Sequence, residues 1–130
     1  MRDYRELKVW EKAHRLTLDI YQVTKAFPRD ETYGLQNQLR RAASSVPTNI
    51  AEGCGRDTAT ELARFLHIAT GSLSEVDYQL LLARDLAYIA PPEYDRLVIQ
   101  LQEVRKMLIV YVQKMNQSAR ATSTPLQPNS

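Results

Sequence analysis

Chemistry in a short chain has to come from a few side chains, and Glu11 and His14 are the first to try. They are spaced Glu-x-x-His, which sets a carboxylate and an imidazole one helical turn apart. Di-iron bundles use that motif on each of two helices, with one further glutamate from each of the other two. The second histidine, His67, has Arg64 three positions before it, so the partner motif is missing. Cys54 is the one cysteine, which rules out an intrachain disulfide and a thiolate zinc site within the chain. No His-Asp pattern accompanies it, so it reads as a small buried or interfacial residue, not a nucleophile. The sequence holds no H-E-x-x-H, no phosphate-binding Gly-Lys loop and no G-x-S-x-G. Glu52 and His67 would form an acid–base pair only if the fold brought them together. The prediction is a protein with no catalytic residue, no metal and no cofactor.

Polar side chains cluster instead in one segment, "RRAASSVPTNIAEGCGR" at residues 40–56. Arg41, Ser45, Asn49, Glu52 and Arg56 follow steps of four, four, three and four, which at about 100° per residue makes one helical stripe. A second stretch carries Glu61, Ser72, Glu75 and Gln79 in a comparable flank. The two stripes are expected to face each other. Ser45, Asn49, Glu52, Ser72 and Glu75 would then form a structural polar seam that fixes helix register, a role weighed above a ligand site. Pro47 removes a backbone donor inside the stripe, so a kink is expected there, eased by Ser44 or Ser45.

The elements that would position these residues are plain from the apolar period. A first helix runs from about Tyr4 to Ala26 through Trp10, Ala13, Thr17, Ile20 and Thr24. Phe27-Pro28-Arg29-Asp30 ends it, with Asp30 as N-cap of a second helix over 31–53. Gly53 and Gly55 close that one, and Thr58 with Glu61 makes a capping box for the third. Leu62, Leu66, Ala69, Leu73, Val76, Leu80, Ala83 and Ala87 give the third helix a seam of fours and threes. Pro91-Pro92 breaks the chain before a fourth helix over 93–117. The fold class predicted is all-α, an antiparallel up-down-up-down four-helix bundle over 1–118, its second helix kinked at Pro47. Residues 119–130 are expected to be a disordered tail.

"LKVWEKA" (7–13), "FPRDETYGLQNQLRRAASSVPTNIAEGCGR" (27–56) and "RFLHIATGSLSEVDYQLLLA" (64–83) together resemble the bacterial four-helix bundle proteins. These are also called ribosomal RNA intervening-sequence proteins, because some are encoded within inserts of large-subunit rRNA genes. The resemblance covers nearly the whole expected bundle, and P-x-N-I-A-E-G followed by G-S-x-x-E is its most specific part. It implies a homopentameric bundle whose biochemical role is unassigned. The accessory proteins of diversity-generating retroelements are similar; those are basic, bind nucleic acid and partner a reverse transcriptase. The present chain has a net charge of only +2.

That charge is unevenly spread. Residues 1–26 and 91–130 each carry a surplus of two basic groups, and residues 58–90 a deficit of two. A ring of subunits would repeat Arg5, Lys8, Lys12, Arg15, Arg105, Lys106 and Lys114 around its axis or rim, a pattern able to grip phosphates. Solvated helix faces carry the same pattern with no ligand. Val9, Leu16 and Val23, with Val98, Ile109 and Val112, form extra apolar stripes that an oligomer would bury; a wide bundle interior would bury them too. The functional expectation is an oligomer, a pentamer by resemblance, that binds structured RNA or DNA. Lys12, Arg40, Arg41, Arg56 and Arg105 are its expected phosphate contacts. A protein-interaction scaffold without nucleic-acid binding, with a partner such as a reverse transcriptase, is the alternative. No signal-like or membrane-spanning apolar run occurs, so a cytoplasmic location is expected.

Overall fold

The computed structural model describes residues 2–123. Four helices make up the molecule: α1 over Lys8–Thr24, α2 over Leu35–Cys54, α3 over Ala59–Asp85 and α4 over Pro91–Ser123. Each packs on the next in sequence, and α4 closes back onto α1. Short connections make the neighbours antiparallel, and among the described residues the backbones of the two diagonal pairs stay apart. This is the four-helix bundle that the period predicted. No described helix is long and apolar enough to cross a membrane.

The α3 seam explains why the bundle holds. Leu62, Leu66, Ala69, Leu73, Val76, Leu80 and Ala83 are wholly buried, and Leu97, Leu101, Val104 and Leu108 of α4 match them. Burying each leucine stabilises by about 1.5–3 kcal/mol relative to leaving it in water. Val9, Leu16 and Val23 are also in this core, at 5, 2 and 7% exposure. The second apolar stripe of α1 is therefore used inside its own bundle, because α1 meets both α2 and α4 and needs a wide apolar face.

Several helix ends differ from expectation. The first helix is split: a 3-10 turn spans Tyr4–Glu6, and Leu7 is extended before α1 starts. The second begins at Leu35, not Glu31, because residues 29–31 form a 3-10 turn and Gly34 precedes α2. Asp30 is consequently no N-cap. Glu31 does that work: its Oε1 accepts from the Leu35 N–H at 3.0 Å, and its Oε2 from the Tyr88 hydroxyl at 2.8 Å. Thr58 does cap α3, accepting from the Glu61 N–H at 3.1 Å.

Ala87 lies beyond α3, in the left-handed region at φ 63°. The Tyr88 N–H reaches the Ala83 carbonyl and the Ala87 N–H the Arg84 carbonyl, a Schellman ending with alanine where glycine is usual. Pro91 and Pro92 stand in the first turn of α4, where no N–H needs an intrahelical partner. That helix reaches Ser123, into the segment expected to be a tail; the expected tail's residues 124–130 lie outside the described residues.

α2 continues through Pro47 without ending. The proline cannot donate to the Ala43 carbonyl, which would be left unsatisfied in the interior. Thr17 of α1 supplies the donor, its Oγ1 lying 3.1 Å from Ala43 O and 2.8 Å from Ala13 O. Of the two serines expected to ease the site, Ser44 bonds to a nearby carbonyl, that of Arg41 at 3.2 Å, while Ser45 points to α3.

Candidate nucleic-acid interface

The polar seam is narrower than the stripe. Ser45 and Ser72 meet hydroxyl to hydroxyl at 2.8 Å across α2 and α3. Asn49 turns back along its own helix, donating to the Ser45 carbonyl at 2.8 Å and the Ser45 hydroxyl at 3.0 Å. Glu52 pairs at 3.5 Å with Arg56, just past the end of α2, and makes no ion pair with α3. Glu75 and Arg41 flank Ser45 and Ser72 in a cleft of about 310 Å³, with no ion pair between them. Glu61 lies 4.0 Å from Arg64 on its own helix, and the buried Gln79 carbonyl oxygen has no partner among the described residues.

The five expected phosphate contacts divide by their partners. Lys12 lies 3.2 Å from Glu103, Arg56 lies 3.5 Å from Glu52, and Arg105 lies 2.9 Å from Asp77. Each is neutralised at close range, and a phosphate would have to displace a carboxylate. Arg40 is held differently, donating through Nε to Thr24 Oγ1 at 2.8 Å and through Nη2 to the Tyr21 carbonyl at 3.0 Å. Its guanidinium covers the Tyr21 ring at 4.7 Å. Among the described residues neither Arg40 nor the exposed Arg41 makes an ion pair with a carboxylate, although Glu75 shares the cleft with Arg41.

The fold sets Arg40 beside a link whose cations carried no signal in the sequence, whereas Arg41 lines the α2–α3 cleft. Arg40 contacts Thr24, the residue before Lys25, and Arg29 follows in the same link between α1 and α2. Lys25 and Arg29 also lack a carboxylate partner among the described residues. Sequence periodicity passes over them because they stand outside the helix seams. The opposite error has a parallel cause: the Glu52–Arg56 pair is visible as an i,i+4 spacing, but Lys12–Glu103 and Asp77–Arg105 join different helices.

The residues tried for catalysis are dispersed. His14 stacks on Trp10, ring centroids 4.9 Å apart and planes 10° apart. Glu52 is turned to Arg56, while His67 is exposed on α3. Cys54 is 1% exposed, and burial pushes its thiol above the ordinary cysteine range, which disfavours the reactive thiolate. Among the described residues no group of three or more His, Cys, Asp or Glu is placed to hold a metal. The α1–α2 face instead presents an apolar groove of about 660 Å³ at Pro47, lined by Tyr4, Trp10, Leu18 and Tyr21 among others.

Comparison with known proteins places this arrangement among relatives. Residues 5–110 match the family described as 23S rRNA-intervening sequence protein. A solved structure of a protein of unknown function from the S23 ribosomal protein family of Bacteroides thetaiotaomicron has the same fold, at TM-score 0.72 and 22% identity. That likeness covers 80% of this chain and 97% of the other. No curated protein matches the chain.

Proposed function

The chain belongs to the 23S rRNA-intervening sequence protein family, and we propose that it acts by binding, as a non-catalytic homopentamer that grips structured RNA or DNA through basic residues repeated around its ring. The observation that supports this reading is the basic link between α1 and α2. Lys25 and Arg29 lie in that link beside Asp30 and Glu31, and Arg40 is held against α1 by Thr24 and Tyr21; among the described residues none of the three, nor Arg41 on the α3 side of α2, makes an ion pair with a carboxylate. Cations already free of carboxylates bind phosphate without first breaking an ion pair. Lys12, Arg56 and Arg105 contribute less, since Glu103, Glu52 and Asp77 stand against them. Oligomerisation accounts for the exposed apolar side chains, Ile68, Tyr78 and Ile99 among them, and for the groove at Pro47.

The test is the anisotropy of a labelled structured rRNA fragment and a duplex DNA, with the mass of the free protein measured by light scattering. Binding should fall steeply between roughly 50 and 200 mM salt, as counterion release requires. Replacing Lys25, Arg29 and Arg41 by glutamine should weaken it and flatten its salt dependence, whereas Arg105→Gln should do little. No binding at low salt would remove the nucleic-acid reading. One observation favours a second reading, a protein-interaction scaffold: four further cations, Arg2, Lys8, Lys106 and Lys114, line an apolar groove.

A further inference from the structure

Four of the cations that form no ion pair among the described residues lie together on the α1–α4 face. A groove of about 590 Å³ runs between the start of the chain and the stretch 106–115 of α4, with Arg2, Lys8, Lys106 and Lys114 at its walls. Its floor is aliphatic: Leu7 and Val9 from one side, Met107, Val110 and Met115 from the other, with the half-buried Tyr111 between. Val110 is 55% exposed. Contacts farther along α1 fix how the walls face each other. Lys12 pairs with Glu103, and Asp19 with Arg96, which is an antiparallel register. Four residues back along α1 and four on along α4 set Lys8 beside Met107, and so beside Lys106. Arg2 is anchored over the far end, where its N–H bonds to the Cys54 carbonyl at 3.1 Å.

We infer that this groove is the docking site for an amphipathic helix of a partner protein, one whose apolar stripe is flanked on both sides by aspartate or glutamate. Two facing rows of cations repel each other and gain most from a ligand that brings negative charge to both walls at once. A fatty acid brings one head group, which leaves one wall uncompensated. A nucleic-acid strand satisfies the walls but gains nothing from an aliphatic floor with one half-buried ring. A helix laid lengthwise between two antiparallel helices does both, with apolar side chains at i, i+3, i+4 and i+7 on the floor. Met107 and Met115 suit that role, since an unbranched thioether adapts to different side chains. The stretch from Lys106 to Met115 is about 13 Å long at 1.5 Å per residue, some two and a half turns of a bound helix. The site is separate from the basic link between α1 and α2, so either reading can fail alone.

The probe is a labelled synthetic helix of 18 residues with a leucine stripe and glutamate flanks, set against the same stripe with lysine flanks and against a scrambled glutamate peptide. Micromolar binding of the glutamate helix alone is expected, with shifts of the Met107 and Met115 methyl resonances. Lys106→Glu with Lys114→Glu should weaken that helix by about tenfold or more and improve the lysine-flanked one, a reversal of electrostatic complementarity that general loss of structure cannot produce. Val110→Asp should abolish binding of the glutamate helix while the helix content of the protein stays unchanged. The inference is overturned if the glutamate helix does not bind, if charge reversal leaves the preference as it was, or if the rRNA fragment or dodecanoate displaces the helix from those methyls. It is equally overturned if Val110→Asp dissociates the free oligomer, which would make a second copy of this chain the occupant.

Discussion

The Thr17 hydroxyl lies 3.1 Å from the Ala43 carbonyl, so a side chain of α1 fills the place that Pro47 empties within α2. Both groups are buried, beneath the groove at Pro47. Thr17→Val should leave that carbonyl unpaired and destabilise by about 1–3 kcal/mol. In a Pro47→Ala protein the restored N–H serves Ala43 instead. Thr17→Val should therefore cost about 1 kcal/mol less in that background, a coupling that a double-mutant cycle in urea measures. Equal costs in both backgrounds would mean that the two residues act independently.

Gly53 sets how closely α2 approaches α3. A Cβ there would stand 2.7 Å from Leu62 Cδ1 and 3.0 Å from Phe65 Cβ. Leu62 is wholly buried and has nowhere to go. Gly53→Ala gains about 1 kcal/mol of helix propensity, but overpacking costs about 1–3 kcal/mol. A net loss of stability is expected, read as a lower midpoint in thermal unfolding. A gain would show that the two helices separate freely.

Ala87 offers the reverse case. It is exposed, its φ is positive, and the Schellman bonds around it need only the backbone. Ala87→Gly relieves a strain of about 1 kcal/mol and loses no packing. The midpoint should rise. An unchanged midpoint would mean that the entropy of the unfolded glycine chain cancels the relief.

Glu31 makes the fold sensitive to acid. The Leu35 N–H, and after it the Tyr88 hydroxyl, hold its carboxyl below the ordinary glutamate range. A depressed value in the folded state means that the ion stabilises the fold. That contribution is complete above the ordinary glutamate value and disappears as pH falls through the lowered one. Glu31→Gln should be less stable at neutral pH and should show a shallower loss between about pH 5 and 2, followed by denaturant titration. Parallel curves for the two proteins would assign the acid loss to other carboxylates.

Much of the architecture was legible because it depends on local pattern. Seven of the eight seam positions predicted for α3 are wholly buried, and the Thr58 cap stands where its spacing put it. The exception, Ala87, follows the apolar period and yet leaves the helix, since three backbone bonds and not side-chain periodicity decide where α3 stops. Asp30 was a plausible cap by residue type. Glu31 serves because Gly34 turns the chain so that its longer side chain returns to Leu35 and also reaches Tyr88, 57 positions away.

The sequence by itself determined the four helices, their antiparallel order and the family, because amphipathic period, breaks and the P-x-N-I-A-E-G segment are short-range features. Only the tertiary structure decided which cations are free. Lys12, Arg105 and Arg96 meet their carboxylates on other helices, whereas Arg40 and Arg41 pair with none among the described residues. Likewise Val9, Leu16 and Val23 look like a surplus stripe until α1 is placed between two neighbours. Spacing along one helix says which side chains share a face. What that face meets depends on register between helices, and register is a property of the packed bundle.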